Sequence, residues 1–485
     1  MSSSPRTARN AVWLLAVVAA PLPLALRFDG SHTILAVALT LLLVVLALRS
    51  RPAGIAATLL YLVVLGDYRR YASYVSGYPP NDPLLLVAPM AAFVMACVAL
   101  LDARPRGSST LAMLLGLLAL FMGAEVFNPA QGGILVGLAG ALFYLVPMLW
   151  FWLGRVYGSP ELVEFVLRRL VVPLATLVAL LGIWQSAVGL LPFEAAWVDA
   201  VRYEALYIAD DVVRAFGCFN SSAEYTRFLL LAATTVLAFG LAARSRLVLL
   251  LPLLLAAMLL ASARGPVVML FGTAAVLWAV AARNPAAWVP RLLLAGGGVA
   301  ALLIGLLIVL QQADLGGRFD ALLAHQVEGL LNPTDASKST AAGHVALGAA
   351  GVLEGAASVA GKGLGATTLA ASKFGEGVFN SEMDVGNMFY SLGILGGLLY
   401  LAIVAQVLRQ AVGLWRRRRR PADLALLGAL VATLLAWLLG GEYSIAAIVW
   451  FLVGALDRAH LEPQGERATL PRPARPPFGA ADHGL

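Results

Sequence analysis

The chain has 485 residues, of which 60% are hydrophobic and only 13% charged, with a formal net charge of +7. A soluble domain carries about a quarter charged residues, so this composition excludes an ordinary soluble enzyme and predicts an all-α, polytopic helical bundle in a membrane. The two cysteines, Cys97 in an apolar run and Cys218 in a polar loop, form no disulfide framework, and neither a dinucleotide fingerprint nor a zinc spacing is found.

Read in chain order, the start MSSSPRTARN precedes an apolar run at 11–27, expected to be a retained first helix rather than a cleaved signal. Further runs long enough to cross, or nearly so, follow at 32–48, 53–66, 84–101, 110–124, 133–153, 165–190, 226–243, 247–262, 265–282 and 289–311. After a polar stretch the pattern resumes at 388–411, 422–440 and 442–457. This predicts about twelve to fourteen spans. The bundle would cover 1–311 with external loops near 67–83 and 191–225, a long external loop 312–387, the last three spans at 388–457, and a disordered cytoplasmic tail at 458–485.

Placing the N-terminus in the cytoplasm puts Arg6, Arg9, Arg49, Arg51, Arg104, Arg106, Arg155, Arg168, Arg169, Arg244, Arg246, Arg283 and Arg291 in inside loops. The run Arg416 to Arg420 falls there too and reads as a topology anchor beside membrane lipid. These charges sit at span ends, which argues against nucleic acid as the partner. No inverted repeat of the transporter kind is apparent.

That orientation leaves a second group of cations on the outside: Arg69, Arg70, Arg202, Arg214, Arg227, Arg264, Arg318, Lys338, Lys362 and Lys373. External cations invite an anionic partner. Arg264 stands in ASARGPVVML between two apolar runs, a depth at which a guanidinium needs a cavity, an anion or a route to the interface. Arg214 and Arg227 bracket RAFGCFNSSAEYTRFLL, where Asn220 or Ser221 would cap the incoming helix; the arginines would meet a phosphate there, or pair with Glu204, Asp210, Asp211 or Glu224.

The stretch 312–387 holds all three lysines of the chain. Its AGKGLG segment lacks the spacing of a nucleotide phosphate loop and reads as a tight turn. Glu382 and Asp384, at the mouth of the twelfth run, suit a general base or, alternatively, a helix N-terminal charge. His344 is a further catalytic candidate, whereas His32, His325 and His460 show no metal-like partners.

Over roughly residues 200 to 410, the RAFGCFN segment, the ASARGP junction and the long loop ending in GKGLG and GILGG together resemble the O-antigen polymerase and ligase superfamily of bacterial envelope glycosyltransferases. LGDYRRYASYVSGYPPNDPLLL is similar to an early external loop of polymerase-like members. The resemblance implies an enzyme of the bacterial inner membrane that transfers glycan from a polyprenyl-diphosphate-linked oligosaccharide to an acceptor glycan on the external face, with no cofactor, no metal and no nucleotide sugar. Arg214 and Arg264 match the family's arginines and would hold the diphosphate, with Arg227, Arg69 and Arg70 as further candidates. Lys362 and Asn387 are the candidates for acceptor glycan. The ligases of this family carry a histidine where this chain reads SEMDVGNMFY, and His344 stands where many members have an arginine. The first departure favours a polysaccharide polymerase, served by a chain-length regulator, over a ligase; a lipid-linked oligosaccharide flippase is the alternative of another class.

Overall fold

The computed structural model describes residues 30–102, 108–202, 206–209, 212–312, 318–335, 339–375, 379–434, 436–438 and 442–462. The expected first span at 11–27, Lys338, and the tail beyond Glu462 lie outside the described residues.

Each apolar run from 32–48 onward, except that at 422–440, coincides largely with a helix. The helices are α1 Ser31–Arg49, α2 Arg51–Ser76, α3 Val87–Asp102, α4 Thr110–Glu125, α5 Ile134–Tyr157 and α6 Pro160–Ala187. A short α7, Pro192–Val201, and a hairpin of β1 Tyr207–Ala209 and β2 Val212–Val213 precede α8 Ser222–Ala243. Next come α9 Arg246–Leu260, α10 Arg264–Ala281 and α11 Trp288–Gln312. The polar stretch folds into α12 Arg318–Leu331, α13 Ala341–Ala356 and α14 Leu369–Phe374. The chain closes with α15 Asp384–Arg418, α16 Pro421–Ala432 and α17 Tyr443–Leu461. Among the described residues eight helices are long and apolar enough to cross a membrane: α1, α3 with the turn before it, α5, α6, α8, α10, α15 and α17. The chain is therefore an all-α, multi-pass membrane bundle, since helices satisfy their own backbone in hydrocarbon.

Local chemistry sets the helix ends. Ser109 caps α4 by accepting the Ala112 amide at 3.0 Å, and Ser221, not Asn220, caps α8 by accepting the Glu224 amide at 3.1 Å. Small residues set the closest helix contact: Gly154 of α5 lies on the Phe451 carbonyl and Gly454 of α17 on the Phe151 carbonyl. A side chain at either glycine would hold these backbones apart.

The bundle has two unlike ends. At one, arginines bind helix termini: Arg51 meets Asp102 at 3.1 Å, Arg155 pairs with Asp457, and Arg419 donates to the last carbonyls of α10 at Val280, Ala281 and Ala282. The expected anchor run thus includes a cap for α10. At the other end lie the hairpin, α7, α12, α13 and α14.

Two boundaries differ from expectation for physical reasons. α2 runs on through Arg69 and Arg70, because both side chains find acceptors beside the helix: Arg69 meets Asp82 at 2.6 Å and Arg70 meets Asp67 at 2.6 Å. The penultimate apolar run does not span as one helix; α16 stops at Ala432, and the amides of Trp437 and Leu438 turn to a side chain of α15.

Candidate active site at one end of the bundle

The segment carrying Arg214 is buried irregular backbone, so its amides and carbonyls need partners. Gln185 of α6 accepts from the amides of Phe216 at 3.1 Å and Gly217 at 2.8 Å, and its own amide donates to Glu194 at 2.7 Å. Arg70 donates to the carbonyls of Phe219 at 2.7 Å and Gly217 at 3.3 Å, and lies over the rings of Trp197 and Phe216. Ser222 closes the loop through the Ala215 carbonyl at 2.8 Å. Arg70 is 1% exposed. Among the described residues its guanidinium holds the RAFGCFN loop.

The ASARGP junction is the break between α9 and α10. Ser262 takes a left-handed conformation with φ 56° and donates to the Leu322 carbonyl of α12 at 3.0 Å, tying the break to the polar stretch. Arg264 begins α10, its guanidinium lying against Gly329 of α12. A side chain at Gly329 would displace it.

The two arginines converge on His325 of α12. Nη2 of Arg264 is 2.9 Å from His325 Nε2 and also donates to the His325 carbonyl at 3.0 Å; Nη2 of Arg214 is 3.3 Å from the same Nε2. Burial first, then the charges of Arg264 and Arg214, hold the imidazole down to about 4, against a smaller upward pull from Glu328. The ring is therefore neutral at pH 7, and its Nε2 accepts from both guanidiniums. Burial, and next Arg264, also oppose the charge of Arg214. Among the described residues neither arginine forms an ion pair. Glu224 lies elsewhere, accepting from the Ser444 hydroxyl at 2.5 Å, and Glu204, Asp210 and Asp211 lie outside the described residues. The Nε atoms of Arg214 and Arg264 and both polar atoms of the neighbouring Gln326 are buried without a hydrogen-bond partner among the described residues. The three orphaned donors, Nε of each arginine and Nε2 of Gln326, mark a site that gains from an anion.

His344 and Glu382 form a second pair at the same end. His344 Nδ1 is 3.3 Å from the Glu382 carboxylate, and His344 Nε2 is 3.0 Å from the Thr340 hydroxyl. Their side chains are 39% and 60% exposed, so an incoming hydroxyl can reach them. Glu382 adopts φ 56°, held by its amide donating to Asn380 at 2.8 Å.

The neighbouring candidates have other work. Asn387 is 1% exposed; its oxygen accepts from the Ser381 amide and hydroxyl at 2.9 and 3.0 Å, and its nitrogen donates to Asn380 at 3.0 Å. It shapes the turn that presents Glu382, rather than meeting glycan. Asp384 is fully buried and accepts from the Tyr400 hydroxyl at 2.6 Å and from the Trp437 and Leu438 amides. Non-helical backbone inside an apolar bundle requires such an acceptor, and Asp384 supplies it through Oδ2, while its Oδ1 has no hydrogen-bond partner among the described residues. Arg227 pairs with Glu442 and Arg69 with Asp82. Lys362 is exposed on the glycine turn.

His325 has no metal-like partners in the sequence, so metal-ligand spacing does not single it out. The available signal was its helical spacing: His325 follows buried Leu322 by three residues on a helix that must pack against the ASARGP break. Among the described residues no cluster of three His, Cys, Asp or Glu side chains forms a metal site. Compared with known protein families and with curated proteins, the chain matches no family model and no curated sequence.

Proposed function

We propose that the chain is a polysaccharide polymerase that transfers glycan from a polyprenyl-diphosphate-linked donor to an acceptor glycan on the external face of the bacterial plasma membrane. The observation that carries the reading is the convergence of Arg214 and Arg264 on one neutral histidine, at 3.3 and 2.9 Å. Guanidinium forks suit phosphate oxygens, and two such cations without an ion-paired carboxylate match the two charges of a diphosphate diester. The family resemblance of the RAFGCFN and ASARGP segments supports the same assignment.

Glycosyl transfer needs two things from a protein. Charge gathering on the departing diphosphate is stabilised by the arginines, each contributing on the order of 10²-fold or more. The acceptor hydroxyl is relieved of its proton by Glu382, oriented by His344, for another factor of about 10². The acceptor oxygen then attacks the anomeric carbon opposite the diphosphate, and the transfer inverts.

Incubating the purified protein in nanodiscs with the lipid-linked repeat unit of its host, followed by mass analysis, tests the reading. A ladder of longer lipid-linked glycans with release of polyprenyl diphosphate is expected. Arg264→Ala is expected to abolish chain growth while the protein remains in the membrane at its usual level; unchanged polymer length in that variant counts against the site. Transfer only to a distinct added acceptor would make the protein a ligase, and no covalent change with any acceptor would put transport in its place.

A further inference from the structure

We propose that capture of a diphosphate by Arg214 and Arg264 is coupled to uptake of one proton at His325 Nε2, and that this proton passes to the diphosphate oxygen as it leaves the sugar. The inference rests on the proposed donor, and extends it by giving His325 the part of general acid.

The argument starts from hydrogen-bond direction. Without an anion, one lone pair on Nε2 accepts from two cations at once. Phosphate oxygens are stronger acceptors for guanidinium than imidazole is. When the guanidinium N–H groups turn to them, Nε2 is left with its lone pair facing anionic oxygen, which is repulsive. Adding a proton converts that acceptor into a donor. Burial first, then the charges of Arg264 and Arg214, hold the pKa of His325 down to about 4; a bound diphosphate offsets the two arginine charges, and its own two negative charges favour the imidazolium against the burial that remains. The charged groups acting on the ring are Arg264 from α10, Arg214 from the segment after β2, and Glu328 on its own helix; Glu328 favours the protonated form.

The reaction then balances. The acceptor hydroxyl gives its proton to Glu382, and its oxygen forms the bond to the anomeric carbon. The bond from that carbon to the diphosphate oxygen breaks with its electron pair on oxygen, and the Nε2 proton of His325 joins that oxygen. His325 returns to the neutral form that accepts from both arginines, and Glu382 releases its proton to solvent.

The direction of the pH dependence follows from the two states. The free site has a low histidine pKa and the occupied site a raised one. Between these values binding takes up a proton, so affinity weakens about tenfold for each unit that pH rises. Above the occupied-site value the slope vanishes.

Calorimetry on the full chain in nanodiscs tests this, using P1,P2-dimethyl diphosphate, a diester with no titrating group near neutrality. Titrations at pH 7 in two non-phosphate buffers of different ionisation enthalpy report the protons exchanged. About one proton taken up is expected for the wild type and none for His325→Gln, which keeps an acceptor but cannot carry the charge. Binding without proton uptake in the wild type, or equal uptake in the variant, overturns the coupling and leaves the proposed function standing. The wild-type measurement and its slope with pH stand by themselves should the variant fold poorly. Absence of binding to the wild type would remove the anion site, and the proposed function with it.

Discussion

Glu382 and Asp384 are two residues apart and have opposite surroundings. The first is 60% exposed beside a histidine; the second is fully buried with a hydroxyl and two backbone amides pointed at it. Substitutions at the two positions should therefore fail differently. Glu382→Gln is expected to slow chain growth on the order of 10²-fold with the thermal midpoint unchanged. Asp384→Ala removes the oxygen, Oδ2, that accepts from all three donors, and should cost about 1–3 kcal/mol of stability, read as a lowered midpoint in detergent. Equal midpoints for the two variants would contradict this division. The same contrast separates Arg70 from Arg264. Removing Arg70 strands the Phe219 carbonyl and deprives the Asp67 carboxylate of its guanidinium, a loss on the order of 3 kcal/mol, whereas Arg264→Ala should leave stability nearly intact and abolish binding of the diester.

At the scale of elements, the glycine turn and the break in α15 form one joint. α15 leaves helical geometry at Gly393, with φ 70°, and the amide of Ile394 turns to the Ser358 carbonyl at 2.9 Å. The amides of Lys362 and Gly363 donate to the carbonyls of Tyr390 at 2.9 Å and Ser391 at 3.2 Å, while a Cβ on Gly361 would overlap the Ser391 carbonyl. The glycines of AGKGLG thus permit backbone to lie on backbone. Gly361→Ala should lift the turn: limited trypsin digestion is expected to cut after Lys362 in the variant and to spare it in the wild type, where its amide is held although its side chain is exposed. Unaltered cleavage would show that the turn is not held by this contact. The joint also shows what a sequence can reveal. Apolar runs are legible because hydrocarbon demands an unbroken length of them, so 32–48, 84–101, 226–243 and 388–411 each fall within a helix. The tight turn at AGKGLG was legible from its composition. The end of α16 was not, because whether Trp437 and Leu438 continue a helix depends on Asp384, about fifty positions earlier, accepting their amides. The convergence of Arg214 and Arg264 followed from resemblance, but their shared contact with His325 depends on how α12 packs at the ASARGP break, which periodicity does not encode.

Across the whole molecule the cations divide into two populations with different work. At one end Arg51, Arg155, Arg418, Arg419 and Arg458 are spent on carboxylates and helix carbonyls, the arrangement expected of a cytoplasmic face. At the other, Arg214 and Arg264 meet only a neutral ring among their described partners, while exposed Lys362 and Lys373 stand on the same side as His344 and Glu382. A polymerase that receives its donor outside requires the second end to face away from the cytoplasm. Lys373→Cys and Arg417→Cys place single reporters at the two ends, against a background in which Cys218 is buried and Cys97 lies within a span. In spheroplasts a membrane-impermeant maleimide is expected to label position 373 directly and position 417 only after permeabilisation. The reverse pattern would put the arginine pair and Glu382 in the cytoplasm, where an externally delivered lipid-linked glycan cannot meet them, and the polymerase reading would fall even if the site binds diphosphate.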